Sequence, residues 1–332
     1  MAILSLSGCG GMSGRRPPTL AQLGVADLYS GGQKTPQPIA AADLAQWWRG
    51  FDDPQLDALI ERARADDPAA GKKGKARYLL EQERIATEAG IARSYVMLRA
   101  RQAKIENIRS HLAARQDDEV IARFREEAKL VTSRDALQVA AESDRVAATI
   151  PALESAIAAD VARIAVLTGQ APVMLRGELA ATRPIPVGPS DVAVGAPSDL
   201  LARRPEARLA ALRIAPARPW GGGTGAATAA YKQTVLRMIE ETENARSAFA
   251  AAKARVAALD KAVDDAEQLA LMTRKHYREG LADYVALEGA ERALLAVRNE
   301  RVDALADRAR ALIDLFAALG GGWEMEADGD HR

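Results

Sequence analysis

The sequence predicts an all-α protein of long antiparallel coiled-coil helical hairpins in two tandem repeats, with little or no β structure. Three observations carry this. Hydrophobic residues make up 48% of the 332 residues but aromatics only 4%, and the dominant alanine, leucine, arginine and glutamate are strong helix formers. Phe249, Ala252, Val256, Leu259, Val263, Ala266, Ala270 and Tyr277 step by threes and fours, with only Thr273 polar in the series. That is the a/d seam of a coiled coil. Finally, the pattern occurs twice. A displacement of 151 positions lays Leu98 on Phe249, Ile105 on Val256, Ile108 on Leu259, Leu112 on Val263, Leu130 on Leu281, Val146 on Val297 and Gly169 on Gly320. No gap is needed between about Arg93 and Gln170. A period this long reads as duplication of a large hairpin, not as a small solenoid repeat.

Taken in order, residues 1–42 form a leader. Leu6-Ser7-Gly8-Cys9 follows a short apolar run and resembles a bacterial lipoprotein signal, in which the Cys9 thiol accepts the lipid. Only Met1 to Ser5 precede it and a basic segment is missing, so either the start is truncated or Cys9 is a free thiol in a glycine-rich leader. One cysteine allows no disulfide within the chain. Pro17-Pro18, Pro36, Pro38 and several glycines make residues 10–42 an extended strip along a surface.

Residues 43–171 form the first helical repeat. Trp47, Trp48 and Phe51 read as a satellite cluster packing the leader on the helices. Asp53-Pro54 supplies an N-cap and first helical residue, with Leu56, Leu59, Ile60 and Ala63 as an apolar stripe. Gly71-Lys72-Lys73-Gly74-Lys75 lacks the Gly-Lys-Ser/Thr of a phosphate loop and reads as a solvated basic turn. Thr132-Ser133-Arg134-Asp135 supplies turn chemistry at the first corner, where Lys129 stands in the place of Gly280. Pro151 is expected to kink or restart the return arm. Residues 172–198 are a crossover linker rich in proline, glycine and valine. Residues 199–323 are the second repeat, with arms meeting at a Gly280–Tyr284 corner. Residues 324–332 are a polar, disordered tail.

Several classes are excluded or weakened. Lys+Arg and Asp+Glu are equal at 45 each, without the clustered basic excess of a nucleic-acid binder. No apolar run reaches 18 residues, and no ten-residue alternating segments mark transmembrane strands. His111, His276 and His331 are far apart and lack metal-ligand spacing; His111 and His276 sit among charges and read as solvated. Glu126-Glu127 and Asp264-Asp265 are adjacent, point in different directions on a helix and read as solvated. No catalytic constellation, metal site or cofactor is expected.

The landmarks together resemble the TolC-like outer membrane factors, specifically the lipoprotein branch of NodT-type efflux proteins. The resemblance rests on Cys9, Trp47-Trp48 through Asp57, and Asp199 to Arg208 with its Leu-Leu-x-Arg-Arg-Pro core. It rests further on Ala230 to Leu236 with Glu240 to Asn244, on Tyr277 to Tyr284, and on Leu319-Gly320-Gly321-Gly322-Trp323. It spans nearly the whole chain. It implies a homotrimer whose helices form a hollow periplasmic α-barrel, standing below a β-barrel in the outer membrane. Substrate would come from an inner-membrane pump through a periplasmic adaptor, with no chemistry in this chain. The corners would be the periplasmic tips that meet the adaptor: Gly280, Leu281, Asp283 and Tyr284, with Leu130 and Thr132 in the first repeat. Tyr277, Asp283 and Glu288 would line the aperture. Cys9 would carry the lipid at the periplasmic side of the outer membrane.

Two departures qualify the implication. Family members place a strand pair between the lead-in helix and the long helix of each half. Here Ala70 to Ala76 and Pro216 to Gly225 are too short and polar for two strands of about ten residues each. Symmetric loss reads as excision that leaves a soluble helical domain. At the corner, Ala286 and Gly289 stand where the family carries aspartates, which weakens a cation-binding ring. The alternative reading is therefore a structural coiled-coil protein, or an engineered soluble version without transport activity.

Overall fold

The computed structural model describes residues 17–30, 39–65, 71–129, 133–214 and 224–323, and contains no strand among them. Short helices come first: α1 (Ala41–Ala45), a 3₁₀ turn (Trp47–Phe51) and α2 (Pro54–Arg64). The first long unit is α3 (Gly74–Glu127), α4 (Ser133–Ala147) and α5 (Ile150–Leu167). A bridge of α6 (Pro172–Glu178), α7 (Pro197–Arg203) and α8 (Pro205–Ala211) leads to α9 (Thr224–Arg278) and α10 (Tyr284–Ala318). With 55 residues, α9 runs for about 80 Å at ~1.5 Å per residue. No helix among the described residues is long and apolar enough to cross a membrane.

The helix boundaries carry the duplication. Glu127 and Arg278 end α3 and α9, Ser133 and Tyr284 start the return arms, and Leu167 and Ala318 end them; each pair lies 151 positions apart. Pro54 and Pro205, which open the lead-in helices α2 and α8, keep the same spacing. So do the left-handed residues: Lys129 (φ 59) matches Gly280 (φ 75), and Gly169 (φ 66) matches Gly320 (φ 81). The repeats differ at Pro151. It stands in the first turn of α5, where its missing N–H is not needed, and it separates α4 from α5. The matching residue in α10 is Val302, and that helix runs unbroken for 35 residues.

The long helices form one layer in the order α4/α5, α3, α10, α9. α3 packs on α4, α5 and α10, and α10 packs on α3 and α9. The two hairpins thus meet along an antiparallel α3–α10 seam. Arg93 bonds Asp314 at 2.6 Å, Lys104 bonds Asp303 at 2.7 Å, and Asn107 bonds Asn299 at 3.1 Å. Within the second hairpin, Arg301–Asp260 (2.6 Å), Arg255–Asp307 (3.0 Å) and Arg298–Glu267 (2.7 Å) repeat the device. Half-exposed pairs contribute about 0–1 kcal/mol each, so they fix register more than they stabilise. The coiled-coil seam of α9 is in place: Phe249, Ala270 and Tyr277 are buried and the seam residues between them half-buried.

The main core lies at the end away from the corners. Trp47 stacks on Phe316 at 5.6 Å and meets Trp48 and Phe51 edge-on. These aromatics belong to the same core as Leu56, Leu59, Ile60, Tyr95, Leu312 and Leu319, not to a satellite cluster. The reason is the short α1–α2 corner, which tucks between α3 and the end of α10. Asp53 caps α2 by accepting from the N–H groups of Gln55 (2.9 Å) and Leu56 (3.1 Å). Its other oxygen accepts from the buried Tyr95 hydroxyl at 2.8 Å. The leader is also more than a surface strip. Leu20, Leu23 and Tyr29 are buried, and Ser30 is tied to Glu243 and Arg246 of α9. The crossover begins with the helical turn α6, because Pro172 opens a helix as readily as it interrupts one.

Candidate functional site

The hairpin tips hold most of the residues singled out from the sequence. At the second tip, the Gly280 N–H donates to the Tyr277 carbonyl (3.1 Å) and the Leu281 N–H donates to the His276 carbonyl (2.8 Å). This is a Schellman closure, and its left-handed residue is best supplied by glycine. Asp283 then caps α10, accepting from the Ala286 N–H at 2.9 Å. Leu281 is 75% exposed and Val285 is exposed beside it. The corner therefore offers apolar side chains on a rigid turn.

Behind the corner the tip is strapped to the first hairpin. Tyr277 is 2% exposed and meets Tyr284 edge-on at 6.2 Å. The Arg125 guanidinium of α3 stands 4.4 Å from the Tyr277 ring and donates to its carbonyl at 2.7 Å. Arg115, also on α3 and buried, donates to the Tyr284 hydroxyl at 2.5 Å. Sequence reading missed both arginines. Their partners lie 152 and 169 positions away, and an arginine on a helix gives no local sign of what it will reach.

The three residues expected at an aperture have separate surroundings. Tyr277 is buried, covered by the Arg125 side chain and the Tyr284 ring. Asp283 is engaged in the cap. Glu288 is half-buried with Arg292 at 3.6 Å. Leu130, Thr132 and Cys9 lie outside the described residues.

Just above the tip, α3, α9 and α10 enclose a cleft of about 230 Å³ lined by Asn107, Ser110, His111, Arg274, Glu291 and Arg298, among others. Arg274 pairs with the buried Glu291 across it. His111 is half-buried here, not solvated; its charged sequence neighbours hid a face turned toward the second hairpin. Burial lowers its pKa to about 4, and the cations Arg115 and Arg274 add to the shift. His276 is exposed. No group of three or more His, Cys, Asp or Glu among the described residues could hold a metal ion.

The layer's outer edges are apolar in places. Leu269, Leu271 and Met272 are exposed on α9, and Leu137 and Val166 on α4 and α5. Val120 and Phe124 are exposed near the first tip.

Residues 224–321, the span of the second hairpin, match the outer membrane efflux protein family. Nodulation protein T of Rhizobium leguminosarum bv. trifolii is 24% identical over 307 residues, covering 75% of this chain. The chain spans 66% of that relative's length. The outer-membrane channel OprN has a TM-score of 0.75 at 20% identity, over 90% of this chain and 99% of that one. The outer membrane protein VceC of Vibrio cholerae gives 0.66 at 20% identity, over 84% and 99%. The CmeC outer membrane channel of Campylobacter jejuni gives 0.66 at 13% identity, over 86% and 70%. At these identities the likeness to solved structures establishes the fold.

Proposed function

We propose, on the premise that this chain belongs to the TolC-like outer membrane factor family, that it is a duct subunit of a tripartite efflux or export system. Its described residues supply mainly the periplasmic helical wall. The supporting observation is the single layer of long helices with two unlike open edges. α9 exposes Leu269 and Met272 on one side, and α4 and α5 expose Leu137 and Val166 on the other. Unlike edges pair head to tail, and head-to-tail contacts close into rings. Three copies would make the hollow wall, its partners being a periplasmic adaptor and an inner-membrane pump. The chain itself does no chemistry. Lipid on Cys9 would hold it at the periplasmic side of the outer membrane.

Light scattering and electron microscopy of the purified chain test this reading. A hollow trimer is expected, whereas a compact monomer would overturn the duct for this chain. The tip role has its own test with a co-expressed adaptor. A photo-crosslinker at the exposed Leu281 should capture the adaptor, and one at mid-helix should not. Efficient capture at mid-helix alone would refute the tip as the contact. Gly280, Asp283 and Tyr284 would then serve to shape the corner, with Leu130 and Thr132 as its counterpart in the first repeat.

A second reading is a structural coiled-coil protein, natural or engineered, that transports nothing. It draws support from the short connections: only residues 65–73 join α2 to α3, and only 212–223 join α8 to α9. Failure to restore efflux in cells lacking their own channel, despite trimer formation, would favour it.

A further inference from the structure

The formal net charge is zero, but among the described residues the charges are sorted along the long axis. Residues 207–239 hold five basic residues and no acid, and residues 68–80 hold four and none; Asp66 and Asp67 are the nearest acids before them. The corners are the reverse. Residues 117–145 carry eight acids against five bases, and residues 260–291 carry eight against four.

The described residues of the two basic stretches share one end of the molecule. Tyr78 at the start of α3 meets Trp323 edge-on at 6.3 Å, and the Trp323 indole donates to the Arg203 carbonyl at 2.7 Å. α8 follows directly and packs on α9. A single groove lined by Gln82, Glu206 and Glu241 marks the level at which acids begin. Beyond it, Lys72, Lys73, Lys75, Arg213 and Arg237 are exposed, with Lys232 half-buried. Leu79, Leu212 and Leu236 are exposed among them.

We propose that this basic, leucine-studded end docks on an anionic lipid surface. Separate cations on three elements, interleaved with apolar side chains, fit a headgroup layer. Lipids supply negative charge and an apolar boundary together. The end lies opposite the corners, which under the duct reading face the adaptor; the inference rests on that reading for which end meets the outer membrane. It adds a contact made by helical-body side chains, independent of any lipid on Cys9.

The test uses the full chain carrying Cys9→Ser, so that no acyl chain contributes. Sedimentation with phosphatidylglycerol-containing vesicles should show binding that is lost with phosphatidylcholine alone. It should also vanish in about 1 M salt, where the Debye length is only about 3 Å. The triple variant K72S/K73S/K75S should bind on the order of a hundredfold more weakly, at about fivefold per cation. The control K261S/K275S/R278S at the opposite end should bind like the parent, with circular dichroism confirming helix content in each. Equal binding to neutral vesicles, or undiminished binding by the first triple variant, would overturn the proposal. So would binding to duplex DNA with none to vesicles. Vesicle binding reads monomers and trimers alike. A compact monomer that still binds would sink the duct and leave the lipid contact standing, and a hollow trimer that ignores lipid would do the opposite.

Discussion

The two hairpins share helix boundaries to the residue at three of their four ends, yet they are not equally buried. α10 has thirteen buried residues, from Leu287 to Ala318. Ten of them lie in residues 301–318, the stretch that α5 matches, and α5 has three, Val161, Ile164 and Ala165. The apolar rhythm of the two arms is similar, so pattern alone does not account for the difference. Position does: α10 lies between α3 and α9, whereas α4 and α5 lie at an edge with α3 on one side. A repeated sequence has been put to two uses, an interior helix and a rim. The rim can tolerate the break at Pro151 because little packs against it.

The sharpest way to break the comparison is to exchange the breaks. Val302→Pro places the first hairpin's proline in the interior arm, removing a helix hydrogen bond and clashing with the preceding turn. It should cost more than about 3 kcal/mol in urea unfolding, since Val302 is buried. Pro151→Val should change stability by no more than about 0.5 kcal/mol, as for exposed sites. A large gain from the second change would mean that the rim is held under strain.

The next test truncates one repeat position on both sides. Leu312 and Val161 are equivalent, and Leu312 is fully buried. Leu312→Ala should cost about 3 kcal/mol by transfer and cavity terms, and Val161→Ala about 2 kcal/mol or less from two lost methyl groups. Equal costs would contradict the interior-and-rim assignment. Tyr284→Phe should follow at about 2 kcal/mol, because it strips buried Arg115 of its hydroxyl partner. Hydrogen exchange should then quicken at the second corner.

The repeat, the seam, the Asp53 cap, the Pro151 break and the Gly280 corner were all legible in the sequence. Each depends on neighbours within a turn or two of helix, or on a rhythm that survives duplication. The links between hairpins were not. Arg115, Arg125 and the buried side of His111 depend on which helix α3 lies beside, and similar apolar stripes on all four long helices leave that order open. The same cause misplaced Trp47, Trp48 and Phe51. They looked like a local anchor, and they are core because the end of α10 returns to them.

One difference between the halves is electrical. Glu88 in α3 is buried against Arg64 at 2.8 Å, and the matching position in α9 is the apolar Ile239. Burial raises Glu88 to about 8, outweighing the lowering by Arg64. The folded chain therefore holds this proton above the unfolded carboxylate value of about 4.5. Its contribution to stability is complete below that value and lost as pH rises through about 8. Thermal melts should show midpoints falling between pH 5 and 9, and Glu88→Gln should flatten that part of the profile. An unchanged profile would place the responsible group elsewhere.

The smallest effect should come from the corners themselves. Lys129 and Gly280 occupy the same left-handed position, at φ 59 and φ 75. A side chain with a Cβ is strained there by about 1 kcal/mol, whereas glycine is not. Lys129→Gly should accordingly stabilise the first corner, by less than about 1 kcal/mol after glycine's extra unfolded-state entropy is subtracted. The reciprocal Gly280→Lys should destabilise by a similar amount, although nothing stands within 4 Å of the added Cβ. The cost would then be one of backbone conformation alone. If Gly280→Lys proved neutral, the two corners would have to differ in backbone, and the duplication would stop short of the tip.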